Sequence, residues 1–236
     1  MIATITATAT DLVAGYGTNA VLGPVNVTLR PGVTALLGRN GSGKTTLMRT
    51  LCGIIPPLGG TCEVLGSAVA DGATVRSRVG YLGHESALAT ALTVAQNLRF
   101  WGELTSTYPD ATLIPHDELV ARFDLSPLLG KKVSALSRGQ RQRVDLARLA
   151  MTDPEFIVLD EPLSGLDPVY AAQTRALLSE WGRTRTVLYS THSVPEALQL
   201  ARHHLVVRGR DLIELGDDDA ATVTESTILA VLEGAS

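Results

Sequence analysis

Residues 38–46 constrain this chain more than any other stretch. They read Gly-Arg-Asn-Gly-Ser-Gly-Lys-Thr-Thr and follow a short apolar run, which predicts a buried strand that turns through a loop into a helix near Lys44. Glycines let backbone NH groups converge on a polyphosphate, and the helix N-terminus attracts negative charge. We expect Lys44 to reach the β- and γ-phosphates and Thr45 to bind Mg²⁺. The stretch predicts nucleoside triphosphate binding but leaves open how the energy is used.

The alternative for this stretch is a glycine turn before an ordinary helix. It does not account for the full G-x-x-x-x-G-K-T pattern in its strand-loop-helix context, so the phosphate-binding interpretation is favoured. The residues predicted to contact the nucleotide are Gly38, Asn40, Gly41, Ser42, Gly43, Lys44, Thr45 and Thr46.

Composition and charge exclude several function classes. Of the 236 residues, 45% are hydrophobic and 19% charged, yet no apolar run approaches the length of ~20 residues that a membrane helix needs. The N-terminus shows no basic residue ahead of an apolar run, so we expect a cytoplasmic chain without a secretory signal. Cys52 and Cys62 lack metal-ligand spacing and are expected in the core. A net charge of −4 argues against a nucleic-acid-coating surface, and no nucleic acid partner is expected.

The order of the patterns predicts an α/β fold. Alternating residues at 2–14 and 21–29 indicate two antiparallel strands joined by a turn, which belong to an N-terminal β subdomain. We expect 1–84 and 153–216 to form the core with this subdomain, and 85–152 to be an inserted helical subdomain. An acidic turn and a short helix are predicted within 217–236.

An acidic pair closes a run of four apolar residues at 156–159. Such a run is typical of a parallel strand covered on both faces, and ligands bind beyond the carboxyl ends of such strands. Downstream of a phosphate-binding loop, one carboxylate can hold Mg²⁺ and the other can polarise the attacking water, so we assign Asp160 to the metal and Glu161 to the water. The alternative is an acidic pair on a surface loop. His192 also follows a buried strand, although a lone histidine is more often structural.

Residues 136–140, Leu-Ser-Arg-Gly-Gln, are not needed for phosphate binding within a single P-loop domain. Here the sequence resembles the ATP-binding-cassette (ABC) ATPases, whose Leu-Ser-Gly-Gly-Gln signature opens a helix of an inserted helical subdomain. We call residues 136–140 the signature segment. The resemblance covers nearly the whole chain and rests on five motifs in the family's order: 38–46, 136–140, 156–161, 164–167 and His192. It implies a P-loop (RecA-like) core that uses ATP and Mg²⁺.

The resemblance also implies roles that no spacing argument supplies. In this family two ATP molecules are held in a head-to-tail dimer, and the signature of one protomer contacts the ATP of the other. That implication assigns Ser137, Gly139 and Gln140 to the opposite protomer's ATP, and Asp167 to coupling between the two sites. The helix N-terminus at Ser137 agrees, because it offers a second anion site.

Further implications of the resemblance concern three residues. The residues alone favour Tyr16 as a turn tyrosine lying on its own strands, whereas the resemblance implies an aromatic that stacks on adenine. His192 is implied to contact the γ-phosphate or the lytic water. His84 stands where the family usually has a glutamine that touches Mg²⁺ and senses the transmembrane partner, and it is therefore placed with the catalytic residues. Arg138 replaces the first signature glycine, and we expect this change to be tolerated.

The resulting prediction is an ATP-hydrolysing subunit of an ABC transporter. It is expected to form a homodimer or heterodimer of ATPase subunits and to associate with the cell membrane through integral membrane permease subunits. The run from Tyr81 to Trp101 is similar to ATPases of haem-export and drug-export systems, which favours export. The main alternative is a soluble ABC ATPase that acts on nucleic acid or ribosomes. A P-loop kinase or GTPase would leave the signature segment unexplained.

Overall fold

A computed structural model of the chain describes residues 5–107, 113–216 and 223–234. The acidic turn predicted at 217–219 lies outside the described residues, as do residues 2–4 of the first predicted strand. Within the described ranges, no helix combines the length and the apolar character needed to span a membrane.

The strands and helices follow one another in an alternating α/β order. The strands are β1 (Ala7–Tyr16), β2 (Asn19–Leu29), β3 (Gly32–Gly38), β4 (Gly59–Val64), β5 (Ser67–Ala68), β6 (Val79–Leu82), β7 (Phe156–Leu159), β8 (Thr186–Thr191), β9 (His203–Arg208) and β10 (Asp211–Leu215). The α-helices are α1 (Lys44–Leu51), α2 (Ala73–Arg76), α3 (Val94–Thr105), α4 (His116–Arg122), α5 (Arg138–Ala150), α6 (Pro168–Trp181), α7 (Val194–Leu200) and α8 (Glu225–Glu233). Of the described elements named here, α2, α7 and the two-residue strand β5 are those that the sequence patterns did not predict.

The N-terminal strands form a four-stranded antiparallel sheet in the order β2-β1-β4-β5. The predicted hairpin is confirmed, and its two strands pair from Ala7 with Leu29 to Tyr16 with Asn19. Tyr16 therefore ends a strand, and the turn itself is made by the residues that follow it.

The core is a six-stranded sheet in the order β10-β9-β3-β8-β7-β6. All neighbouring strands in it are parallel except β9 and β10, which pair antiparallel. All residues of β7 and β8 are buried, as expected for strands covered on both faces. Because β3, β6, β7 and β8 run in the same direction, the segments after their carboxyl ends meet at one edge of the sheet.

Capping side chains set the starts of the longer helices. Thr93 and Ser137 each form a capping box with the glutamine three residues later, at the starts of α3 and α5. Asp167 accepts two backbone NH groups at the start of α6, and Pro168 occupies the first helical position, as predicted.

The helix α1 lies between the two sheets. Its apolar residues Leu47, Met48 and Leu51 pack with β1, β2 and one face of the six-stranded sheet in a single buried cluster. The opposite face of that sheet packs against α3 to α7 in a second cluster. The loop that precedes α1 is therefore fixed on one side by the parallel sheet and on the other by the antiparallel sheet.

Candidate active site

The loop of residues 38–46 connects β3 directly to α1. Gly41 has a φ of 78° and Gly43 a φ of 103°, in the left-handed region that residues with side chains rarely adopt. At Gly38 a Cβ atom would lie 2.6 Å from Ser42 Oγ, so contact rather than φ excludes a side chain there. These three glycines allow the loop to close tightly at the N-terminus of α1.

Lys44 is held along the inner side of this loop. It is 7% exposed, and its ammonium group donates hydrogen bonds to the backbone oxygens of Gly38 (2.7 Å) and Arg39 (3.2 Å). Burial lowers the pKa of Lys44, whereas the neighbouring carboxylates of Glu161 and Asp160 act in the opposite direction. The positive charge therefore lies between the loop backbone and two acidic side chains, where a phosphate oxygen can reach it.

Asp160 is buried, and both of its carboxylate oxygens accept hydrogen bonds from hydroxyl groups. Thr45 Oγ1 donates to Oδ2 at 2.6 Å, and Ser190 Oγ donates to Oδ1 at 2.6 Å. A carboxylate in direct contact with a hydroxyl supplies the hard oxygen ligands that Mg²⁺ takes from proteins, and Mg²⁺ fills its remaining positions with phosphate oxygens and water. These residues fit the predicted Mg²⁺ site. Across the described ranges no group of three or more His, Cys, Asp and Glu side chains forms an all-protein metal site.

Glu161 has a φ of 52°, which is uncommon for a residue with a side chain. Its backbone NH donates to Ser190 Oγ at 2.8 Å, and its Oε2 lies 3.0 Å from Nδ1 of His192. The Glu161 side chain is 15% exposed and that of His192 is 63% exposed. Backbone strain of this kind clusters at active sites. The pair presents a carboxylate, held by an imidazole, that can accept a proton from water.

These groups surround one cleft of about 460 Å³. Its lining comprises Val21, Asn40, Gly41, Gly43, Lys44, Thr45, Thr46, His84, Asp160, Glu161, Ser164 and His192. The structure thus brings together nearly all the residues predicted for the nucleotide, the metal and catalysis, including His84. Gly38 and Ser42 belong to the base of the loop, and Tyr16 lies outside the cleft at the end of β1.

The signature segment and Asp167 do not line this cleft. Ser137 is exposed, and its Oγ accepts the backbone NH of Gln140 at 3.2 Å while the Gln140 side chain accepts the NH of Ser137. Gly139 is packed so closely that an added Cβ would lie 2.4 Å from the ring of Tyr170. Asp167 is likewise exposed and caps α6. The structure therefore separates the predicted site residues into two regions of the surface.

Arg138 extends toward the loop before α6. An added Cβ at Gly165 would lie 2.6 Å from a terminal nitrogen of Arg138, so the guanidinium rests against that glycine. Gly165 has a φ of 66°, a backbone conformation that residues with side chains rarely adopt. The arginine is therefore accommodated within its own protomer.

Ser190 is a site residue that sequence reasoning missed. It is fully buried and joins Asp160 to the backbone of Glu161 through the two hydrogen bonds given above. In the sequence, Ser190 is the second-to-last residue of the largely apolar strand β8, and no motif marks it as a site residue. Its role follows from the parallel pairing of β7 and β8, which aligns Leu159 with Tyr189 and so brings the next residues of both strands together.

The parallel sheet, the phosphate-binding loop and the acidic strand end define a P-loop nucleotide-binding protein. The chain matches the ABC transporter family over residues 22–164, more than half of its length. It therefore belongs to the ATP-binding proteins of this family and is an ABC ATPase, as the signature segment predicted.

The relatives of the chain include proteins named for different transport tasks. It is 39% identical over 207 residues to a daunorubicin resistance ATP-binding protein of Streptomyces coeruleorubidus, covering 86% of this chain and 66% of that protein, just under two thirds of its length. It is 36% identical over 168 residues to a cytochrome c biogenesis ATP-binding export protein of Agrobacterium fabrum, covering 71% and 78% of the two chains. A phosphonates import ATP-binding protein of a Synechococcus strain is 32% identical over 205 residues, with coverages of 80% and 76%.

The fold is shared with solved structures. One described as the ATP binding subunit of an ABC transporter superposes with a TM-score of 0.81 at 24% identity, covering 97% of this chain and 99% of the other. The α/β class and its P-loop core are thereby confirmed.

Proposed function

We propose that this chain is the ATP-hydrolysing subunit of a transporter, that it closes as a dimer around two ATP molecules, and that it drives a separate membrane permease. One observation supports this most directly. The cleft contains a phosphate-binding loop, oxygen ligands for Mg²⁺ and a carboxylate for water activation, while a second anion site at Ser137 lies elsewhere on the surface. A dimer that places the second region of one protomer over the cleft of the other gives both regions a use.

Within the cleft each side chain has a distinct task. The loop from Gly38 to Thr46 binds the phosphates through its NH groups, and Lys44 neutralises their charge. Thr45 and Asp160 would hold Mg²⁺, which would offset charge on the phosphates. Glu161 accepts the proton of the attacking water, and His192 holds the Glu161 carboxylate through the 3.0 Å contact. Ser190 fixes Asp160 and the Glu161 backbone relative to one another.

In the proposed dimer, three residues of the signature segment face the partner's ATP. Ser137, Gly139 and Gln140 contribute a hydroxyl, a backbone NH and an amide at a helix N-terminus, which favours anions. Asp167 lies at the start of α6, the helix whose Tyr170 packs on Gly139, so it is connected to the signature segment through direct packing. Either two copies of this chain or this chain with a related subunit satisfies the geometry.

A groove beside the cleft supports the proposed permease contact. It has a volume of about 210 Å³ and lies between the end of α1, β6, α3 and α5, with Ile54, Tyr81 and Trp101 among its lining residues. Ile54 is 44% exposed although it is apolar. β6 leads directly into His84 in the ATP cleft, so a permease segment seated in this groove would contact the same strand that reaches the nucleotide. We propose that the permease recruits the chain to the cytoplasmic face of the membrane in this way.

The direction of transport that we propose is export. The similarity to a drug-resistance protein and to a cytochrome c biogenesis export protein supports it, and these alignments have higher identity than that with the phosphonates import protein.

Complementation between two inactive variants tests the shared site. Lys44→Ala removes the cation of the cleft, and Ser137→Arg fills the second anion site. In a head-to-tail heterodimer of the two, one composite site carries both lesions and the other is intact, so ATP hydrolysis should return to well above the level of either variant alone. The measurement is phosphate release by a heterodimer purified through two different affinity tags.

The matched control pairs Lys44→Ala with the double variant Lys44→Ala/Ser137→Arg. This heterodimer contains no intact site and should stay inactive. A confirmed heterodimer of the two single variants that also stays inactive would show that each site lies within one chain, contrary to the proposal.

A further inference from the structure

Arg49 of α1 interacts with two tyrosines on different strands, Tyr16 on β1 and Tyr81 on β6. It is the basic residue in the last turn of this helix and is half buried. Its terminal nitrogen Nη1 donates a hydrogen bond to the hydroxyl of Tyr16 at 3.2 Å. The ring of Tyr16 stands at the end of β1 and is 45% exposed, so this hydroxyl contact is what fixes its outer end.

The same guanidinium interacts with Tyr81 on β6. The Tyr81 hydroxyl is buried and, among the described residues, has no well-formed hydrogen bond, but it lies near enough to Arg49 to raise the pKa of that guanidinium. The Tyr81 ring also packs against Gly83, where an added Cβ would lie 3.2 Å from it. Tyr81 also packs against the buried cluster that contains α1, and Arg49 interacts both with this partly buried phenol and with the exposed Tyr16.

We propose that Arg49 is a positioning residue that holds the Tyr16 ring in the orientation required to stack on the nucleotide base. The proposal rests on the proposed role of Tyr16 as the base-stacking aromatic. Without its hydroxyl contact, an exposed aromatic side chain at a strand end samples several rotamers, and that freedom is lost when a base binds. Arg49 removes this cost beforehand, because its half-buried guanidinium already donates a hydrogen bond to the Tyr16 hydroxyl.

Two ligands separate a role in base binding from a role in phosphate binding. ATP with Mg²⁺ engages both the base-stacking residue and the phosphate-binding residues, whereas inorganic tripolyphosphate with Mg²⁺ engages only the loop of residues 38–46 and the proposed Mg²⁺ ligands. Arg49→Met keeps the length of the side chain and removes its donors. Tyr16→Phe keeps the stacking ring and removes the acceptor. We expect each change to weaken ATP binding about three- to tenfold, the scale of the cost of ordering one side chain, and to leave tripolyphosphate binding unchanged.

The double variant tests whether the two residues act through one contact. Arg49→Met/Tyr16→Phe should bind ATP no more weakly than either single variant, because all three lack the same hydrogen bond. Arg49→Lys restores a donor and should recover part of the affinity. Isothermal titration of the full chain with both ligands provides the dissociation constants, and thermal unfolding confirms that the variants are folded.

Three results would overturn the proposal. The first is an ATP affinity that Tyr16→Phe leaves unchanged, and this variant decides the question alone if Arg49→Met does not fold. The second is an equal loss of tripolyphosphate binding in Arg49→Met, which would make Arg49 a phosphate-binding charge. The third is additive losses in the double variant.

Tyr16→Ala separately tests the base contact. An unchanged ATP affinity in this variant would reject the role of Tyr16 itself. A loss of affinity in Tyr16→Ala without one in Arg49→Met would reject only the role of Arg49.

Discussion

The ATP cleft and the signature segment differ in how far one chain completes them. In the cleft, Thr45, Ser190 and the Glu161 backbone form a continuous hydrogen-bonded network around the buried Asp160. In the signature segment, the side chains of Ser137 and Gln140 each accept the other residue's backbone NH, and within the described ranges no other hydrogen bond of these two side chains is formed. Both regions are formed by residues at the start of a helix or the end of a strand, but only the cleft is enclosed by other elements of the same protomer.

This difference predicts which substitutions will change nucleotide binding by an isolated protomer. A change in the cleft alters groups that already contact one another, so it should affect nucleotide binding even in an isolated protomer. A change in the signature segment alters groups whose other contacts we assign to a partner, so it should affect hydrolysis without affecting binding by an isolated protomer. The predictions below test this contrast, from the largest expected effect to the smallest.

Glu161→Gln should give the largest effect. It keeps the size of the side chain but removes the carboxylate that we assign to proton transfer, so ATP hydrolysis should fall by ~10²-fold or more while ATP still binds. Because hydrolysis is proposed to reopen the dimer, this variant should accumulate as an ATP-bound dimer. Phosphate release and gel filtration with ATP measure the two effects, and normal turnover would exclude Glu161 from the mechanism.

Ser190→Ala should sharpen the contrast between the two regions. It removes one hydroxyl from Asp160 and leaves the Glu161 NH buried without its acceptor, a loss of about 1–3 kcal/mol per unpaired group. Affinity for ATP with Mg²⁺ should fall by roughly tenfold in an isolated protomer, on the same free-energy scale. Equilibrium titration at concentrations where the chain is monomeric measures this change.

The matched control is Ser137→Ala, which deletes a hydroxyl of the same kind from the signature segment. It removes the N-cap of α5, which costs about 1 kcal/mol of stability, but protomer affinity for ATP should be unchanged while dimer-dependent hydrolysis falls. If Ser137→Ala weakens protomer binding as much as Ser190→Ala does, the division between the two regions is wrong.

His204 should give the smallest effect, and it lies in neither region. Its side chain is 3% exposed, Nε2 lies 3.3 Å from the backbone oxygen of Ala197, and Nδ1 is buried without a partner among the described residues. Burial lowers the pKa of His204, so the folded chain favours the neutral ring and loses stability as pH falls through the pKa of the unfolded chain, near ~6.5.

The variant that tests this is His204→Gln, which cannot titrate. Between pH 7.5 and pH 5.5 the midpoint of thermal unfolding should fall further in the wild type than in the variant, by about 2–4 °C for a chain of this size. Equal declines would show that His204 does not contribute to acid sensitivity. The comparison also separates acid unfolding of the core from any pH dependence of hydrolysis in the cleft.

Much of the fold and of the cleft could be predicted from the sequence because those features are encoded locally. The left-handed backbone at positions 41 and 43 requires glycine. The caps at Thr93, Ser137 and Asp167 satisfy helix NH groups. Four apolar residues before Asp160 indicate a strand that is covered on both faces. The helix α7 was not predicted, since it has only seven residues and follows a site histidine closely. Tyr16 was assigned by family resemblance, because the residues themselves favoured a structural role.

The sequence by itself determined the phosphate-binding loop, the acidic strand end, the signature segment and hence the family, because each depends on residues within a few positions of one another. Only the tertiary structure decided that Ser190 supports Asp160 and Glu161, that His192 contacts Glu161, and that Arg49 connects Tyr16 with Tyr81. These contacts join residues 29 or more positions apart, as with Ser190 and Glu161 or Arg49 and Tyr16. They depend on the order and register of parallel strands and on the packing of α1 between two sheets, which no local pattern of residue types specifies.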